Sequence, residues 1–340
     1  MVYFITNRRP NKEKNPTDFT GDFAVEGTAY LRYGFAEVTG KKLENHDIHV
    51  ELENLKRVDE KSMVDESSSV LGSSANLRRV REKMCKHSRD TVVYIHGYNV
   101  EFKEALTAAA RLKRNFGASN LAHPVNVVLF SWPSDGSMMP FLAYASDRQD
   151  AAASGAAVAR AFLRLSDFLK GATPDEECGQ KLHLVTHSMG NFVLRNALQE
   201  VRRHFAGRPP RIFGEIFMMA ADEDDDAFEH DHKLAVLPRT AARVNLYFNR
   251  GDLALQTSNK TKGNPDRLGT DGPRLPQSVP AKVSQVDVTP VVSGLVEHSY
   301  YLDSDRVVMD MRRVLKGDPS DEIKGRRFVP EQNRYRLTDK

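Results

Sequence analysis

Buried strands and amphipathic helices alternate along most of this chain, and this alternation is what most limits its fold. The apolar runs TVVYIHGYN, VNVVLFSWP and KLHLV each read as a strand, and each precedes a segment with helical periodicity. Strands that alternate with helices of this length form a mostly parallel sheet with helices on both faces. The sequence therefore predicts an α/β fold with a mostly parallel central sheet.

The N-terminal segment predicts strands of a different kind. VYFITNR, TAYLRYGFAEVTG and DIHVELENL are strand-like runs within residues 1–60, with no long helix between them, and we expect antiparallel edge strands there. The catalytic core is predicted over residues 91–315. Residues 1–315 are thus expected to form one domain, and residues 316–340 a charged C-terminal tail.

Composition and charge narrow the classes of partner. The chain has 340 residues, 40% of them hydrophobic, and a formal net charge of +3. That charge is too small and too evenly spread to predict a nucleic-acid partner. No segment has the roughly 18 uncharged apolar residues of a membrane span, and the N-terminus has no apolar signal region. Cys85 and Cys178 show no paired spacing, which fits a reducing compartment, so we expect a cytoplasmic protein.

The stretch LHLVTHSMGN, residues 182–191, predicts a nucleophile elbow. It combines a buried strand, a tight turn and the start of an amphipathic helix, and it places Ser188 at the turn. The G-x-S-x-G pattern needs small residues two positions either side of the serine. Gly190 satisfies it, whereas Thr186 is bulkier than the pattern requires. The alternative is that Ser188 only caps the helix.

A serine nucleophile needs a base and an acid, which in this fold follow it in the order acid, then histidine. His298, in GLVEHSYYL, is the only histidine after the strand RVNLYFN and is the predicted base. Asp252 and Asp222 each follow a core strand at its C-terminal end, where such sheets present functional groups. Asp252 is favoured because its strand precedes the histidine. Asp222 opens the acidic run DEDDD and remains the alternative acid, because spacing alone does not separate the two.

The same elements predict an oxyanion hole and a substrate pocket. The backbone N–H groups of Tyr98, in the turn after TVVYIHG, and of Met189, directly after the serine, are the predicted donors. Trp132, Met138 and Phe141 either wall an acyl pocket or are ordinary core contacts. The chain has no HExxH, GxxxxGK[ST] or GxGxxG motif, so no metal and no organic cofactor are predicted.

Two predicted loops indicate what kind of substrate the protein binds. The connection after the strand EIFMMAA is short and acidic, unlike the large apolar lid of a lipase, which favours small or soluble esters. Residues 256–280 have no apolar periodicity and lie between the predicted acid and base, so we expect either a functional loop or a disordered one.

Several motifs in one order resemble a known family. TNR, YIHGYN, FSWPSDG, YASDRQDAAASG, THSMGN, NRGDLAL, RLGTDGPRL and EHSYY look like those of the uncharacterised bacterial α/β-hydrolase family once labelled domain of unknown function 900, over about residues 2–315. The resemblance implies an α/β-hydrolase fold, with Ser188 as nucleophile, Asp252 as acid and His298 as base. By analogy with the wider superfamily it supports Tyr98 and Met189 as oxyanion donors. It implies an esterase-like enzyme and no particular substrate.

The expected function is a serine hydrolase acting on a small-molecule ester, and three alternatives remain. One is an inactive relative that uses its pocket for binding or assembly. Another is an acyltransferase that uses the same serine. The third is a nucleic-acid or partner-binding module built on the basic run RRVREKMCKH and the charged C-terminal segment.

Overall fold

The computed structural model describes residues 1–51, 72–118, 123–134, 140–170, 179–256, 266–292 and 298–339, without the side chains of residues 72, 140–143 and 168–170. The strands are β1 (Val2–Thr6), β2 (Arg8–Pro10), β3 (Phe19–Phe23), β4 (Arg32–Thr39), β5 (Asn45–Glu51), β6 (Thr91–Ile95), β7 (Asn126–Ser131), β8 (Leu182–His187), β9 (Phe213–Met219), β10 (Ala241–Phe248), β11 (Val283–Asp287), β12 (Arg326–Val329) and β13 (Arg334–Leu337). The α-helices are α1 (Gly72–His87), α2 (Phe102–Gly117), α3 (Pro140–Ala153), α4 (Gly155–Lys170), α5 (Gly190–His204), α6 (Leu268–Asp271), α7 (Tyr300–Asp303) and α8 (Asp305–Lys316).

One large sheet organises the fold, with strand order β12-β13-β11-β10-β9-β8-β6-β7-β1-β4-β5. Every neighbouring pair from β13 to β1 is parallel. At the edges β4, β5 and β12 run antiparallel to their neighbours. The predicted mostly parallel sheet with antiparallel N-terminal edge strands is confirmed, although β1 itself lies inside the sheet, parallel to β7.

Helices cover both faces of the sheet. On one face the apolar stripes of α1, α4 and α5 pack against alternate strand residues, through side chains such as Val80, Val158 and Val193. On the other face α2 and α8 do the same, through side chains such as Phe102 and Val307. Because both faces are covered, the central strands are continuously buried, which explains their unbroken apolar runs. In the described part of the chain, none of the helices has the length and apolar character needed to cross a membrane.

The C-terminal residues differ from the predicted tail. Helix α8 ends at Lys316 and is capped by Gly317 with φ 91°, but the chain then forms the hairpin β12–β13, which extends the main sheet beside β11. The Arg326 side chain is buried and pairs with Asp310 at 2.6 Å. Charges that resemble a solvated tail in the sequence therefore include a buried ion pair that anchors a strand.

The parallel sheet gathers the predicted site at one edge. Strands β6, β8 and β10 end at Ile95, His187 and Phe248, directly before the turns that carry Tyr98, Ser188 and the NRGDLAL segment. C-terminal ends of parallel strands share one edge of a sheet, so segments that are far apart in the sequence meet there.

Candidate active site

Ser188 lies at a strained turn between β8 and α5. Its φ is 52°, in the left-handed region that a residue with a Cβ rarely adopts. The turn is held on both sides: Ser188 N–H donates to Met219 O at 2.9 Å, and Ser188 O accepts from Asp222 N–H at 3.1 Å. A Cβ on Gly190 would lie 2.6 Å from His96 O, so this position needs glycine. This is the strand, strained serine and helix arrangement of a nucleophile elbow.

Thr186 fits the elbow by a hydrogen bond that the sequence pattern does not show. Its hydroxyl donates to Asn191 Oδ1 at 2.6 Å, and Asn191 Nδ2 in turn donates to Ser188 O at 3.1 Å. Both side chains are fully buried. Thr186, although bulkier than the pattern requires, therefore stabilises the turn at Ser188 through Asn191.

Asp252 and His298 form a short hydrogen-bonded pair. Asp252 Oδ2 accepts from His298 Nδ1 at 2.7 Å, and Asp252 Oδ1 accepts from the N–H of Leu255 at 3.1 Å. The aspartate is fully buried, whereas 21% of the His298 side chain is exposed. Since a carboxylate only accepts hydrogen bonds, Nδ1 carries a proton. In the neutral ring Nε2 is then the free base on the opposite side.

His298 lies against the residue that precedes the serine. The rings of His187 and His298 are 4.6 Å apart between centroids, and His187 Nε2 donates to His298 O at 3.1 Å. Burial, and after it the neighbouring His298, lower the pKa of His187 well below 6.5, so His187 is neutral. Among the described residues Ser188 Oγ makes no hydrogen bond to His298. Contacts between a nucleophile and its base often tighten only when substrate binds.

Asp222 has other partners. Its Oδ1 pairs with Arg267 Nε at 3.0 Å, and its Oδ2 accepts from the Tyr144 hydroxyl at 2.7 Å. Both Asp222 and Arg267 are buried. Its carboxylate thus stabilises the loop behind the elbow, and the geometry favours Asp252 as the partner of His298.

The segments that carry the two predicted oxyanion donors both adjoin Ser188. A Cβ on Gly97 would be 2.9 Å from Ser188 Cβ, so the turn that carries Tyr98 lies directly against the serine. Met189 precedes α5, at a helix end where backbone N–H groups have no intrahelical partner and the helix dipole favours negative charge.

The predicted pocket residues have different positions. Trp132 is fully buried, stacks on His96 with ring centroids 5.3 Å apart and donates its indole N–H to His96 O at 3.0 Å. These are core contacts that support the turn beneath Tyr98. Met138 and the side chain of Phe141 lie outside the described residues, as do residues 257–265 of the predicted functional loop.

Three residues at the site were not assigned roles by sequence reasoning: His187, Asn191 and Arg8. All lie in motifs noted in the sequence, THSMGN and TNR. Their partners are up to 126 residues away, so the motifs alone gave no indication of which atoms meet. Within the described ranges, no group of three His, Cys, Asp or Glu side chains is arranged to hold a metal ion.

Comparisons with known proteins identify a family for this chain. The model of a family described as "Alpha/beta hydrolase of unknown function (DUF900)" matches residues 73–316, well over half of the chain. The crystal structure of Aspergillus fumigatus lipase B aligns with a TM-score of 0.42 and 12% identity, covering 70% of this chain and 56% of the lipase chain. No curated protein matches the sequence.

Proposed function

Because the chain belongs to the family of alpha/beta hydrolases of unknown function, we propose that it is a serine hydrolase that cleaves carboxylic esters of small molecules. The observation that carries the proposal is the Asp252–His298 pair, with its buried carboxylate and its 2.7 Å hydrogen bond, packed against the elbow that strains Ser188. Serine, acid and base also follow one another along the chain in the order that the fold requires.

The reaction is acyl transfer to water in two steps. His298 Nε2 takes the proton of Ser188 Oγ while Oγ bonds to the ester carbonyl carbon. The tetrahedral intermediate then expels the alcohol, which receives that proton from His298, and an acyl-serine remains. His298 next removes a proton from water, whose oxygen attacks the acyl carbon. The acid leaves, and the proton returns to Ser188. Asp252 keeps the proton on Nδ1 and stabilises the imidazolium in both steps.

Backbone N–H groups stabilise the charge on the carbonyl oxygen. The donors are those of Tyr98 and Met189, and their rigid placement means that little reorganisation accompanies the reaction. Loss of one such donor costs roughly 100- to 1,000-fold in kcat in well-studied hydrolases.

The loop between β9 and β10 supports small or soluble esters over aggregated lipid. Residues 220–240 are acidic and tied down by ion pairs: Lys233 contacts Asp224 at 2.9 Å, and Arg195 contacts Glu223 at 3.3 Å. An apolar lid that opens on a lipid surface needs exposed apolar residues and few internal contacts. Neither requirement is met by this loop.

Covalent labelling tests the proposal. The purified protein is treated with a fluorophosphonate, and the adduct is located by mass mapping, beside Ser188→Ala and the matched control Ser304→Ala at the N-terminus of α8. We expect labelling at Ser188 in the parent and in the control, followed by hydrolysis of short p-nitrophenyl esters. Folded parent protein that takes no label and cleaves no ester would instead support a binding or assembly role. Product formed on added alcohols in place of water would indicate an acyltransferase.

A further inference from the structure

Arg8, from the TNR motif, is a buried cation beneath the turn that carries Tyr98. Only 1% of the residue is exposed. Its guanidinium donates to Val100 O at 2.7 Å and contacts His96 Nε2 at 3.3 Å. We propose that Arg8 is a positioning residue for the proposed hydrolase: it holds residues 96–100 so that the Tyr98 N–H is aimed at the oxyanion. This inference rests on the proposed function.

The hydrogen-bond donors around His96 determine its tautomer. Its Nε2 receives the backbone N–H of Trp132 at 3.3 Å as well as the Arg8 guanidinium, and both of these groups are donors only. Nε2 is therefore unprotonated, and Nδ1–H donates to Gly97 O at 2.8 Å. Burial, and after it the charge of Arg8, lower the pKa of His96 to about 3, so the ring stays neutral near pH 7.

The peptide between Gly97 and Tyr98 connects the orientation of His96 to that of the Tyr98 N–H. A trans peptide is planar, and its C=O and N–H point in opposite directions. Because His96 fixes the direction of Gly97 O, it also fixes the direction of the Tyr98 N–H. Gly97 lies against Ser188, so a rotation of this peptide would redirect the donor next to the nucleophile.

Arg8 contacts both ends of the turn that carries Tyr98. Besides His96 at its start and Val100 at its end, Arg8 Nε donates to Ser131 Oγ at 2.9 Å, and Nη1 to the carbonyls of Ser134 and Thr20 at 3.4 and 3.3 Å. A guanidinium has five N–H donors in a rigid plane, which suits several fixed acceptors. A lysine keeps the charge but has three donors on one atom, so it does not reproduce this geometry.

The test compares Arg8→Lys with Arg9→Lys, its exposed neighbour, on an ester and on the matching thionoester. Carbonyl oxygen depends on the oxyanion donors, whereas thiocarbonyl sulfur accepts hydrogen bonds weakly. We expect Arg8→Lys to lower kcat for the ester by about 10- to 100-fold, on the scale of a misplacement of about 1 Å, with little change in KM. The thionoester rate should fall much less, so the ratio of ester to thionoester rates falls. A general loss of active protein lowers both rates equally.

Two milder variants keep the idea testable if Arg8→Lys does not fold. Ser131→Ala removes one acceptor of the Arg8 fork, a hydroxyl that also contacts His96 Nε2 at 3.2 Å, and should lower the same ratio by a smaller factor. His96→Asn retains an N–H donor near the position of Nδ1 and should hold the ratio closer to the parent value than His96→Ala does. A ratio unchanged in both Arg8→Lys and Ser131→Ala would overturn the proposal.

A measurement that does not depend on catalysis separates this proposal from the proposed function. If the parent cleaves neither ester and takes no phosphonate, the proposed function fails. Nitrogen NMR of the His96 ring and hydrogen exchange of the Tyr98 amide then decide the role of Arg8. Loss of the Nδ1–H tautomer or faster exchange in Arg8→Lys, and not in Arg9→Lys, supports the positioning role; an unchanged tautomer and unchanged exchange refute it.

Discussion

Replacing Asp252 by asparagine should invert the tautomer of His298. Asp252 Oδ1 accepts the N–H of Leu255, and Oδ2 accepts from His298 Nδ1. In Asp252→Asn the amide oxygen remains with the Leu255 N–H, because the NH₂ group in that place would put two donors face to face. The NH₂ group then points at His298 Nδ1, which must accept. The proton of a neutral His298 consequently moves to Nε2, where it blocks removal of the proton from Ser188.

The size of the effect follows from this geometry. The variant loses the base tautomer and also the negative charge that stabilises the imidazolium. An equivalent tautomer error in a serine protease lowers kcat by roughly 10⁴-fold, which corresponds to about 5 kcal/mol of activation free energy. The asparagine is close in size to the aspartate, so we expect a folded protein with near-parent KM.

The assay is steady-state hydrolysis of a short p-nitrophenyl ester, with Asp222→Asn and Asp310→Asn as comparisons. Asp310 is also a buried, ion-paired carboxylate, but it lies on α8 with Arg326 as partner. Both comparisons should lose stability in denaturant and keep kcat within a few-fold once folded. A near-normal kcat for Asp252→Asn together with a large loss for Asp222→Asn would refute the assignment of Asp252.

Three further predictions concern stability. Arg326→Met leaves Asp310 buried without its ion pair and should lower the free energy of unfolding by about 3–5 kcal/mol in a denaturant titration, with kcat unchanged; a loss below about 1 kcal/mol would contradict the buried-pair interpretation. Thr186→Val leaves Asn191 Oδ1 without its donor and should lower the free energy of unfolding by about 1–3 kcal/mol. Thr186→Ser keeps the hydroxyl and should lower it less; equal losses in the two variants would argue against the hydrogen bond. Folding lowers the pKa of His187. As the pH falls below 6.5, the unfolded chain therefore binds a proton at this histidine that the folded chain does not. The free energy of unfolding should decline by up to about 1.4 kcal/mol per pH unit for this histidine. His187→Phe should make that decline shallower in unfolding curves over the two pH units below 6.5, and an unchanged slope would refute it.

The roles of charged segments are difficult to predict from the sequence alone. Residues 316–340 have the composition of a solvated tail, yet Arg326 and Asp310 meet inside the fold. Asp222 and Asp252 occupy similar positions after core strands, and what distinguishes them is a neighbour: Arg267 and Tyr144 for one, His298 for the other. A charge pattern does not reveal whether a partner from another part of the chain removes the charge from water.

Features that depend on a few neighbouring residues could be predicted from the sequence. Hydrophobic periodicity predicted the parallel sheet and its covering helices, the turn at Ser188 predicted the elbow, and the chain order of serine, aspartate and histidine limited the candidates for the site. These follow because period, turn chemistry and strand ends are properties of a few neighbouring residues.

Which distant atoms meet depends on the packing of the whole chain. The fold brings His298 to Asp252 across 46 positions and sets Arg8 beneath a turn 88 residues away at His96. Such contacts depend on how the whole sheet twists and packs, and on which buried polar groups must find partners once water is excluded. Periodicity carries no information about those partners, which is why the supporting residues of the site emerged from the fold.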